Sequence, residues 1–583
     1  MDFSLKLYRL TLLSLFFLFF LGCEQSSQTV SDVSHSRIGK TDYGYAAIAT
    51  PDNFGSDVSQ EILNKGGNAV DAAIATGFAL AVTYIDAGNI GGGGFMTIKM
   101  NDEVAFLDYR EKAPMAAHRD MYLDENGDVI ENSTLIGGQA VGVPGTVAGF
   151  WKAHQRFGKL PWEELVNPAI KLAEEGFLPA KILVDDIQSM KDWFKDKTNF
   201  SKYFLSINTS ENFKQPQLAN TLRRIAKFGA DDFYSGETAK LIVEQMKESD
   251  GLITMEDLNS YEAVWREPLR SNWRNYEVIS APPPSSGGFA IIQLLKMKDY
   301  LDHFFSGLEH NSAQYIHLVA EIEKRVFADR AEYLGDPDFF DVDIEKLISE
   351  EYIARRALEV NPNAISSLES VDPGLESPDT THYSIVDQWG NAVSNTYTIN
   401  WNYGSGVVVE GAGFLLNNEM DDFSAKPGVP NIFGVVGNVA NEIQPEKRML
   451  SSMSPTILLK DGNVEMVLGT PGGSTIFTSV FQTIVNIMDF DMSPYEAIQS
   501  TRFHHQLLPP DEITYNGFTI GNPLPKETIS QLGEKGYKAI PHDYDFGDVQ
   551  VIMREDESWI AASDPRDRGD SRIISVPKSQ ENQ

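Results

Sequence analysis

The sequence predicts an α+β fold in which stacked β-sheets lie between layers of helices. The middle of the chain, from about Pro144 to Glu359, has helical periodicity, interrupted by a strand-like segment at Tyr276–Ile279. Short strand-like segments and hairpin turns begin after residue 380. An irregular stretch rich in Ser, Pro, Asn and Asp, residues 361–379, separates the two regions. Strands that feed helices on both sides of this stretch favour sheets flanked by helices.

Two helices and a strand pair are predicted ahead of the helical middle. Asp57–Lys65 forms the first helix. Ala69–Tyr84 is Ala-rich and nearly all apolar, so we expect a second helix that is buried. The glycine run Gly91–Gly94 interrupts the pattern. Phe95–Met100 and Val104–Tyr109 are then predicted as two strands joined by a turn.

The region after residue 380 is predicted to contain hairpins followed by a helix. Pairs that contain glycine supply the hairpin turns, and two adjacent glycines separate the last of these strands from the helix. The predicted strands are Thr381–Val386, Ala392–Ile399, Ser454–Lys460 and Val464–Leu468, with turns at Gly390-Asn391 and Asp461-Gly462 and a helix at Thr475–Met488.

Composition limits the class of protein. The 583 residues are 42% hydrophobic and 22% charged, which is typical of a globular protein with ample length for large cores. The formal net charge is -35. Such an acidic chain argues against binding to nucleic acids or anionic membranes, because both require basic patches. The chain has one cysteine, so no internal disulfide is possible and the core must provide the stability.

The N-terminus has the pattern of an export signal. Lys6 and Arg9 precede the apolar run Leu10–Leu21, which is short for a membrane span. The segment Phe20-Leu21-Gly22-Cys23 resembles a bacterial lipobox, with Phe in place of the usual Leu. A plain signal peptide with an incidental cysteine is the alternative, and both export the chain. We predict a signal peptide at residues 1–23, lipidation of Cys23, a tether at residues 24–40, and a periplasmic or cell-envelope location with a membrane anchor.

Common cofactor and catalytic motifs do not occur in the sequence. No Gly-Lys-Ser/Thr follows Gly91–Gly94, and no Gly-x-Gly-x-x-Gly opens a helix, so the expected role of this run is close backbone packing. His504 and His505 are adjacent, point apart in regular structure and have no suitably spaced third ligand. There is also no Gly-x-Ser-x-Gly and no His-Glu-x-x-His. We therefore expect no metal ion and no cofactor.

Thr380 ends the irregular stretch and opens the first strand of a hairpin. Counting outward from the turn near Trp389-Gly390 places Thr380 roughly opposite Thr398. A threonine at a free N-terminus carries its own base, because its α-amino group has a reference pKa of roughly 7.7–8.0. Such an enzyme must first cleave its own chain, here between Asp379 and Thr380. Taken alone, two threonines at a strand start are more often ordinary strand formers.

Several long motifs occur in one order along the chain. They are Gly91–Phe95, Asp108–Pro114, Thr380–Ser384, Gly390–Val393, Thr398–Asn400, Leu416–Phe423, Lys447–Thr456, Gly469–Ser474 and Ser563–Arg566. Together they resemble the γ-glutamyltranspeptidases along almost the whole chain after the tether. The resemblance implies an N-terminal-nucleophile hydrolase fold, a four-layer αββα sandwich. Two autoprocessed subunits, residues 41–379 and 380–583, would form it jointly as a heterodimer.

The same resemblance implies a role for each site residue. Thr380 would attack the γ-glutamyl carbonyl, Thr398 would bond to the nucleophile's hydroxyl, and the N–H groups of Gly472 and Gly473 would form the oxyanion hole. A zwitterionic head group needs both a cationic fork and carboxylate acceptors. The implied set is Arg110, Ser451 and Ser452 for the α-carboxylate, and Asn400, Glu419 and Asp422 for the α-ammonium.

The sequence departs from the family pattern in the lid, after Asn400 and from Asp567 onward. Residues 427–438 correspond to a lid over the site in many bacterial members, and Phe433 stands where an aromatic residue with a hydroxyl is frequent. Trp401-Asn402 replaces smaller polar residues that often follow the Asn400 position.

The resemblance implies a γ-glutamyl hydrolase/transferase that acts on glutathione and related compounds, with water, an amino acid or a peptide as acceptor. A glutaryl or cephalosporin-type acylase, or a poly-γ-glutamate processing enzyme, is the alternative within the same fold. A glutaryl substrate has no ammonium group, so Glu419 and Asp422 would be needless there. An inactive exported binding lipoprotein is a third possibility, against which the intact Thr380 and Thr398 argue.

Overall fold

Two antiparallel β-sheets form the centre of the fold. The computed structural model describes residues 43–366, 380–426, 439–516, 523–542 and 546–578. The predicted signal peptide, the tether, Cys23, Asp379, Phe433 and most of the irregular stretch lie outside these residues. The larger sheet has seven strands in the order β16 (Asp570–Pro577), β1 (Tyr43–Thr50), β7 (Thr381–Val386), β8 (Ala392–Thr398), β2 (Gly93–Met100), β3 (Glu103–Tyr109) and β4 (Val264–Arg266).

The second sheet faces the first. Its six strands are, in order, β15 (Ser558–Ser563), β14 (Gln550–Glu555), β10 (Asn463–Gly469), β9 (Thr456–Lys460), β6 (Tyr276–Ser280) and β5 (Leu269–Trp273). A small third sheet consists of β11 (Phe503–His504), β12 (Glu512–Tyr515) and β13 (Lys538–Pro541).

One layer of helices covers the outer face of the seven-stranded sheet. Its apolar side chains join those of the sheet in the largest hydrophobic cluster of the described residues. The helices are α1 (Asn53–Asn64), α2 (Ala69–Thr83), α3 (Thr146–Phe157), α4 (Trp162–Glu175), α5 (Lys181–Ser189), α6 (Lys191–Phe194), α7 (Phe200–Phe204), α8 (Pro216–Phe228), α9 (Ala230–Tyr234), α10 (Glu237–Glu248) and α11 (Met255–Ser260).

A second layer of helices covers the outer face of the six-stranded sheet and shares a separate hydrophobic cluster with it. Its members are α12 (Gly287–Tyr300), α13 (Asp302–Phe305), α14 (Ala313–Tyr333), α15 (Ile344–Leu347), α16 (Glu350–Leu358), α17 (Thr475–Phe490), α18 (Pro494–Gln499) and α19 (Lys526–Lys535).

Strand β1 shows why the order of layers is helix, sheet, sheet, helix. Ala46 and Ile48 belong to the cluster shared with the first helical layer. Ala47 and Ala49, which point to the opposite face of the strand, belong to a cluster shared with the second sheet. From Ala46 to Thr50 both faces of the strand are therefore buried, and the small side chains of Ala47 and Ala49 face the second sheet.

Most of the predicted elements are confirmed with shifted ends. Every residue of α2 is buried, as its apolar composition predicted. β2 begins at Gly93 rather than Phe95, because Gly93 and Gly94 pair with Thr398 and Tyr397 of β8. β1 was not predicted, since its Ala-rich sequence lacks polar-apolar alternation when both faces are buried.

The segments before and after the irregular stretch build both sheets together. β7 and β8 lie between β1 and β2 in the seven-stranded sheet. In the six-stranded sheet β9 pairs with β6. Strands from before and after the proposed cleavage point are therefore hydrogen-bonded to each other in both sheets.

Candidate active site

The β7–β8 hairpin fixes the position of Thr380. The register pairs Thr381 with Tyr397, which places Thr380 one residue further out, beside Thr398. Both side chains are almost fully buried, with Thr380 7% and Thr398 2% exposed. The hairpin turn is held by Asp387, whose Oδ1 accepts the Trp389 and Asn391 N–H groups at 2.9 and 3.0 Å.

Thr380 lies at the end of a polar strip between the two sheets. The side chains of residues 380, 382 and 384 share one face of the strand. Nδ1 of His382 bonds Thr396 Oγ1 at 2.8 Å, and its Nε2 bonds Ser384 Oγ at 3.1 Å. Burial lowers the pKa of His382 to about 3. The ring is thus neutral at physiological pH, and its two hydrogen bonds order the strip.

Thr398 is packed against the glycine run. A Cβ atom at Gly92 would lie 2.0 Å from the Thr398 carbonyl oxygen, so close backbone packing is confirmed as the role of this glycine. The hydroxyl of Thr398 accepts a hydrogen bond from the Asn400 N–H at 2.7 Å. With that lone pair occupied, the hydroxyl retains one proton to donate.

Gly472 and Gly473 form a tight loop between β10 and α17. Their φ angles are +133° and +52°, values that favour glycine. The Gly472 carbonyl accepts the Thr475 N–H at 2.9 Å and the Thr475 hydroxyl at 2.7 Å. The loop therefore precedes the N-terminus of α17, where the helix dipole is positive.

The start of this loop contacts the strip of Thr380. A Cβ atom at Gly469 would lie 2.3 Å from the His382 ring. Ser394 of β8 donates to the Leu468 carbonyl at 3.0 Å. The hairpin and the glycine loop are thus fixed relative to each other through the interface of the two sheets.

Arg110 lies among carboxyl groups at the end of β3. Its guanidinium donates to Glu419 and Asp422 in direct ion pairs, and Glu111 lies 3.7 Å away. Arg110, Glu111 and Glu419 are buried, and Asp422 is 13% exposed. Burial raises the pKa of Glu111 well above its ordinary value, and the negative charge of nearby Glu419 raises it further. Burial also raises the pKa values of Glu419 and Asp422, although the positive charge of Arg110 lowers both.

The charged cluster lies close to Thr398. A Cβ atom at Gly93, which pairs with Thr398, would lie 2.6 Å from Glu111 Oε2. The Asn418 N–H donates to the Ile399 carbonyl at 3.1 Å. Strands β2 and β8 thus bring the charged cluster to the end of the sheet where Thr380 lies.

Asparagines hold the loop that carries Glu419 and Asp422. Asn417 Oδ1 accepts the Gly142 and Glu419 N–H groups at 2.9 and 3.0 Å. Asn400, at φ +73°, donates from Nδ2 to the Asn418 carbonyl at 3.1 Å. The side chain of Asn400 therefore supports the backbone of this loop in the present structure.

Ser451 and Ser452 pack against a segment to which sequence analysis gave no function. The Ser451 N–H donates to the Pro284 carbonyl at 2.8 Å, and Ser286 Oγ donates to the Ser451 carbonyl at 2.8 Å. Arg330 donates from Nη2 to Ser452 Oγ at 3.4 Å. Sequence analysis assigned no function to Ser286 or Arg330. The stiff run of prolines, serines and glycines at 282–288 was a local signal for Ser286.

The described residues contain no group of three or more His, Cys, Asp or Glu side chains that could hold a metal ion. His504 Nε2 instead bonds Gln506 at 2.9 Å, and its Nδ1 bonds Thr478 at 3.0 Å. Within the same part of the chain, no helix has both the length and the apolar character needed to cross a membrane.

Comparison with known proteins decides the family. A family sequence model described as Gamma-glutamyltranspeptidase matches residues 55–574. The chain belongs to the gamma-glutamyltranspeptidase family. Among its relatives, the glutathione hydrolase proenzyme of Pseudomonas aeruginosa is 56% identical over 528 residues, which are 91% of this chain and 94% of that protein.

Solved structures support the same placement. Gamma-glutamyltranspeptidase from Pseudomonas nitroreducens complexed with L-DON is 57% identical, with a TM-score of 0.55 over 56% of this chain and 97% of that one. Cephalosporin acylase from Bacillus halodurans is 25% identical, with a TM-score of 0.78 over 92% of this chain and 97% of that one. The predicted four-layer N-terminal-nucleophile hydrolase fold is confirmed, and this gamma-glutamyltranspeptidase family member is an enzyme.

Proposed function

We propose that this chain is a self-cleaving glutathione hydrolase and γ-glutamyltransferase. The observation that carries the proposal is the buried cluster of Arg110, Glu419 and Asp422 at the strand ends beside Thr380 and Thr398. An α-amino acid head group offers one carboxylate and one ammonium, which match a guanidinium and two carboxylates. The printed name of the Pseudomonas aeruginosa relative, glutathione hydrolase proenzyme, supports both the substrate and the maturation step.

The first step is cleavage between Asp379 and Thr380. The Thr380 hydroxyl attacks the Asp379 carbonyl carbon, the peptide shifts to an ester, and water hydrolyses that ester. The products are a carboxylate at Asp379 and a free α-amine on Thr380. They divide the chain into residues 41–379 and 380–583. The solved Pseudomonas nitroreducens chain matches 56% of this chain, a share similar to that of the proposed large subunit.

Turnover then uses the new amine as the base. It accepts the proton of the Thr380 hydroxyl while the oxygen attacks the γ-glutamyl carbonyl. The Thr398 hydroxyl, which accepts the Asn400 N–H, donates its proton to the nucleophile. N–H groups of Gly472 and Gly473 stabilise the oxyanion. The amine product leaves with the proton, and water or an acceptor amine releases the γ-glutamyl group from the ester.

Substrate binding replaces ion pairs within the cluster. The α-carboxylate binds Arg110 together with the Ser451 and Ser452 hydroxyls. The α-ammonium binds Glu419 and Asp422, assisted by Asn400. Because Arg110 gains a carboxylate and the two carboxyl groups share one ammonium, each buried charge keeps an opposite charge beside it.

The test uses mature protein and two anilides. Wild type should run as two bands on a denaturing gel, with Thr380 as the first residue of the smaller one, and should hydrolyse γ-glutamyl anilide. An acceptor dipeptide should speed anilide release if transfer occurs. Thr380→Ala, the control, should remain one inactive chain. A preference for glutaryl anilide would favour the acylase alternative, and one uncut inactive chain would favour the binding lipoprotein.

We also propose that the chain is an exported lipoprotein anchored through Cys23. Support comes from Lys6 and Arg9, the apolar run that follows and the Gly22-Cys23 pair. A single acyl chain binds membranes only marginally, so the anchor requires several. Metabolic labelling with a fatty acid should tag wild type and leave Cys23→Ala unlabelled. Equal labelling of the two, or none in either, contradicts the anchor and leaves export as a separate question.

A further inference from the structure

Arg330 reaches the active site from the helical layer behind the second sheet. It lies in the last turn of α14 and is 2% exposed. Its Nε donates to Ser286 Oγ at 2.9 Å, and its Nη2 donates to Ser452 Oγ at 3.4 Å. One guanidinium thus contacts both the serine that supports Ser451 and the neighbouring Ser452.

These contacts constrain two hydroxyl groups. Ser286 Oγ accepts from Arg330 and donates to the Ser451 carbonyl at 2.8 Å. Ser452 Oγ also accepts from Arg330, so its single hydrogen must point away from the guanidinium. A serine oriented in this way presents its O–H as a donor, which is what recognition of a carboxylate requires.

The charge of Arg330 acts on the same side of the pocket. Burial lowers its pKa to about 10, and the charge of Asp422 opposes that change, so the guanidinium stays charged at neutral pH. An α-carboxylate held by Ser452 would lie next to this positive charge.

We propose that Arg330 is a positioning residue for the substrate α-carboxylate. It holds Ser452 as a donor, fixes the backbone of Ser451 through Ser286, and adds a second positive charge behind Arg110. This role rests on the proposed function, which assigns Ser451 and Ser452 to the α-carboxylate.

The test compares two substrates that differ in one group. γ-Glutamyl anilide has the α-carboxylate, whereas 4-aminobutyryl anilide retains the amine and lacks that carboxylate. In Arg330→Gln, KM for γ-glutamyl anilide should rise about 10- to 100-fold, as expected for loss of a charged hydrogen-bond donor, with a smaller change in kcat. Activity on 4-aminobutyryl anilide should stay within about twofold of wild type. Arg330→Lys keeps the charge without the planar fork and should lie in between.

Arg325→Gln is the matched control. Arg325 lies on the same helix, is equally buried and pairs with Glu321 at 3.1 Å. This variant should change thermal stability without changing the ratio of the two substrates. Each variant is first checked on a gel for self-cleavage. If Arg330→Gln does not mature, Arg330→Lys provides the same comparison.

Three results overturn the inference. An equal loss on both anilides in Arg330→Gln and Arg330→Lys would show a merely structural role, and an unchanged KM for γ-glutamyl anilide would show no role. If instead wild type does not distinguish the two anilides, α-carboxylate recognition itself fails, and the proposed function falls together with this role.

Discussion

Arg110 contacts Glu419 and Asp422 directly, and Glu111 lies on its remaining side. One guanidinium therefore faces three carboxyl groups in a largely buried pocket. Burial raises the pKa values of all three carboxyls. The charge of each residue in this cluster depends on the others, so single substitutions there should change substrate choice as well as rate.

Asp422→Asn tests the ammonium half of the pocket. Losing one partner of a buried charge pair typically costs roughly 2–5 kcal/mol. The kcat/KM on γ-glutamyl anilide should therefore fall roughly 30-fold to several-thousand-fold, where about 1.4 kcal/mol corresponds to a factor of ten. Activity on glutaryl anilide, which has no ammonium, should change far less. Initial rates on the two anilides provide the measurement.

Asp421→Asn is the matched control for this experiment. Burial raises the pKa of Asp421 to about 8, so a neutral amide replaces a group that is mostly protonated at pH 7. The control should keep its preference for γ-glutamyl over glutaryl anilide. If Asp422→Asn weakens both substrates equally, Asp422 does not recognise the ammonium.

His382 should make the folded protein sensitive to acid. Its folded-state pKa of about 3 lies below the ordinary value of 6.5, so between these values the unfolded chain binds a proton that the folded chain does not. Its contribution to stability is complete above pH 6.5 and is lost as the pH falls toward 3. At pH 4.5 the loss should be about 2–3 kcal/mol relative to pH 6.5.

Urea unfolding at pH 6.5 and 4.5 measures this effect. The Thr380→Ala substitution keeps the chain uncut. Adding His382→Gln should reduce the change in unfolding free energy between the two pH values by about 2–3 kcal/mol. His118→Gln, at an exposed histidine, should leave it unchanged. An identical pH dependence with and without His382 would contradict a neutral buried ring.

At the scale of elements, the loop from β10 to α17 holds the proposed oxyanion hole. Gly472 has φ +133°, and a Cβ atom there would lie 2.5 Å from Thr475 Oγ1. An alanine must therefore shift the loop and the N–H groups that it presents. Loss of one oxyanion donor typically costs about 100- to 1,000-fold in kcat.

Gly472→Ala should lower kcat on γ-glutamyl anilide by about 100-fold or more and slow self-cleavage. Gly462→Ala is the matched control, because Gly462 also has a positive φ, +79°, but has no atom within 4 Å of a Cβ position. It lies in the β9–β10 turn, between the strands that lead to the loop. Single-turnover rates and a time course on gels separate the two steps. Equal effects of the two alanines would contradict a specific role for Gly472.

At the scale of the whole molecule, the two proposed subunits are interleaved. β7 and β8 lie between β1 and β2, and β1 also pairs with β16 over eight residue pairs. Cleavage before Thr380 cuts the chain without removing any of these strand pairings. With a single cysteine in the sequence, no disulfide joins the subunits.

The mature subunits should therefore separate only when the protein unfolds. Size-exclusion chromatography without denaturant should give one species containing both bands, with or without a reducing agent. In a urea series, loss of co-elution should coincide with loss of the far-UV circular dichroism signal. Separation of the subunits at urea concentrations that preserve that signal would contradict the shared-sheet arrangement.

Much of the local structure could be predicted because it depends on neighbouring residues. The apolar composition of Ala69–Tyr84 predicted a buried helix, and a count from the Gly390 turn predicted that Thr380 and Thr398 are neighbours, in agreement with the observed Thr381–Tyr397 register. The family motifs also named Arg110, Glu419 and Asp422 of the charged cluster, but gave no role to Glu111. Strand β1 was missed, since its burial on both faces removes the alternation that marks a surface strand.

By itself the sequence determined the family, the α+β class, the proposed nucleophile and the types of charge in the pocket, because motifs, turns and periodicity are local properties. Only the tertiary structure decided which distant segments meet. It brought Arg330 to Ser452 and Ser286 to Ser451, and it inserted β7 between β1 and β8. Such contacts form when two sheets and two helical layers pack against each other. Local sequence patterns do not indicate which distant residues this packing brings together.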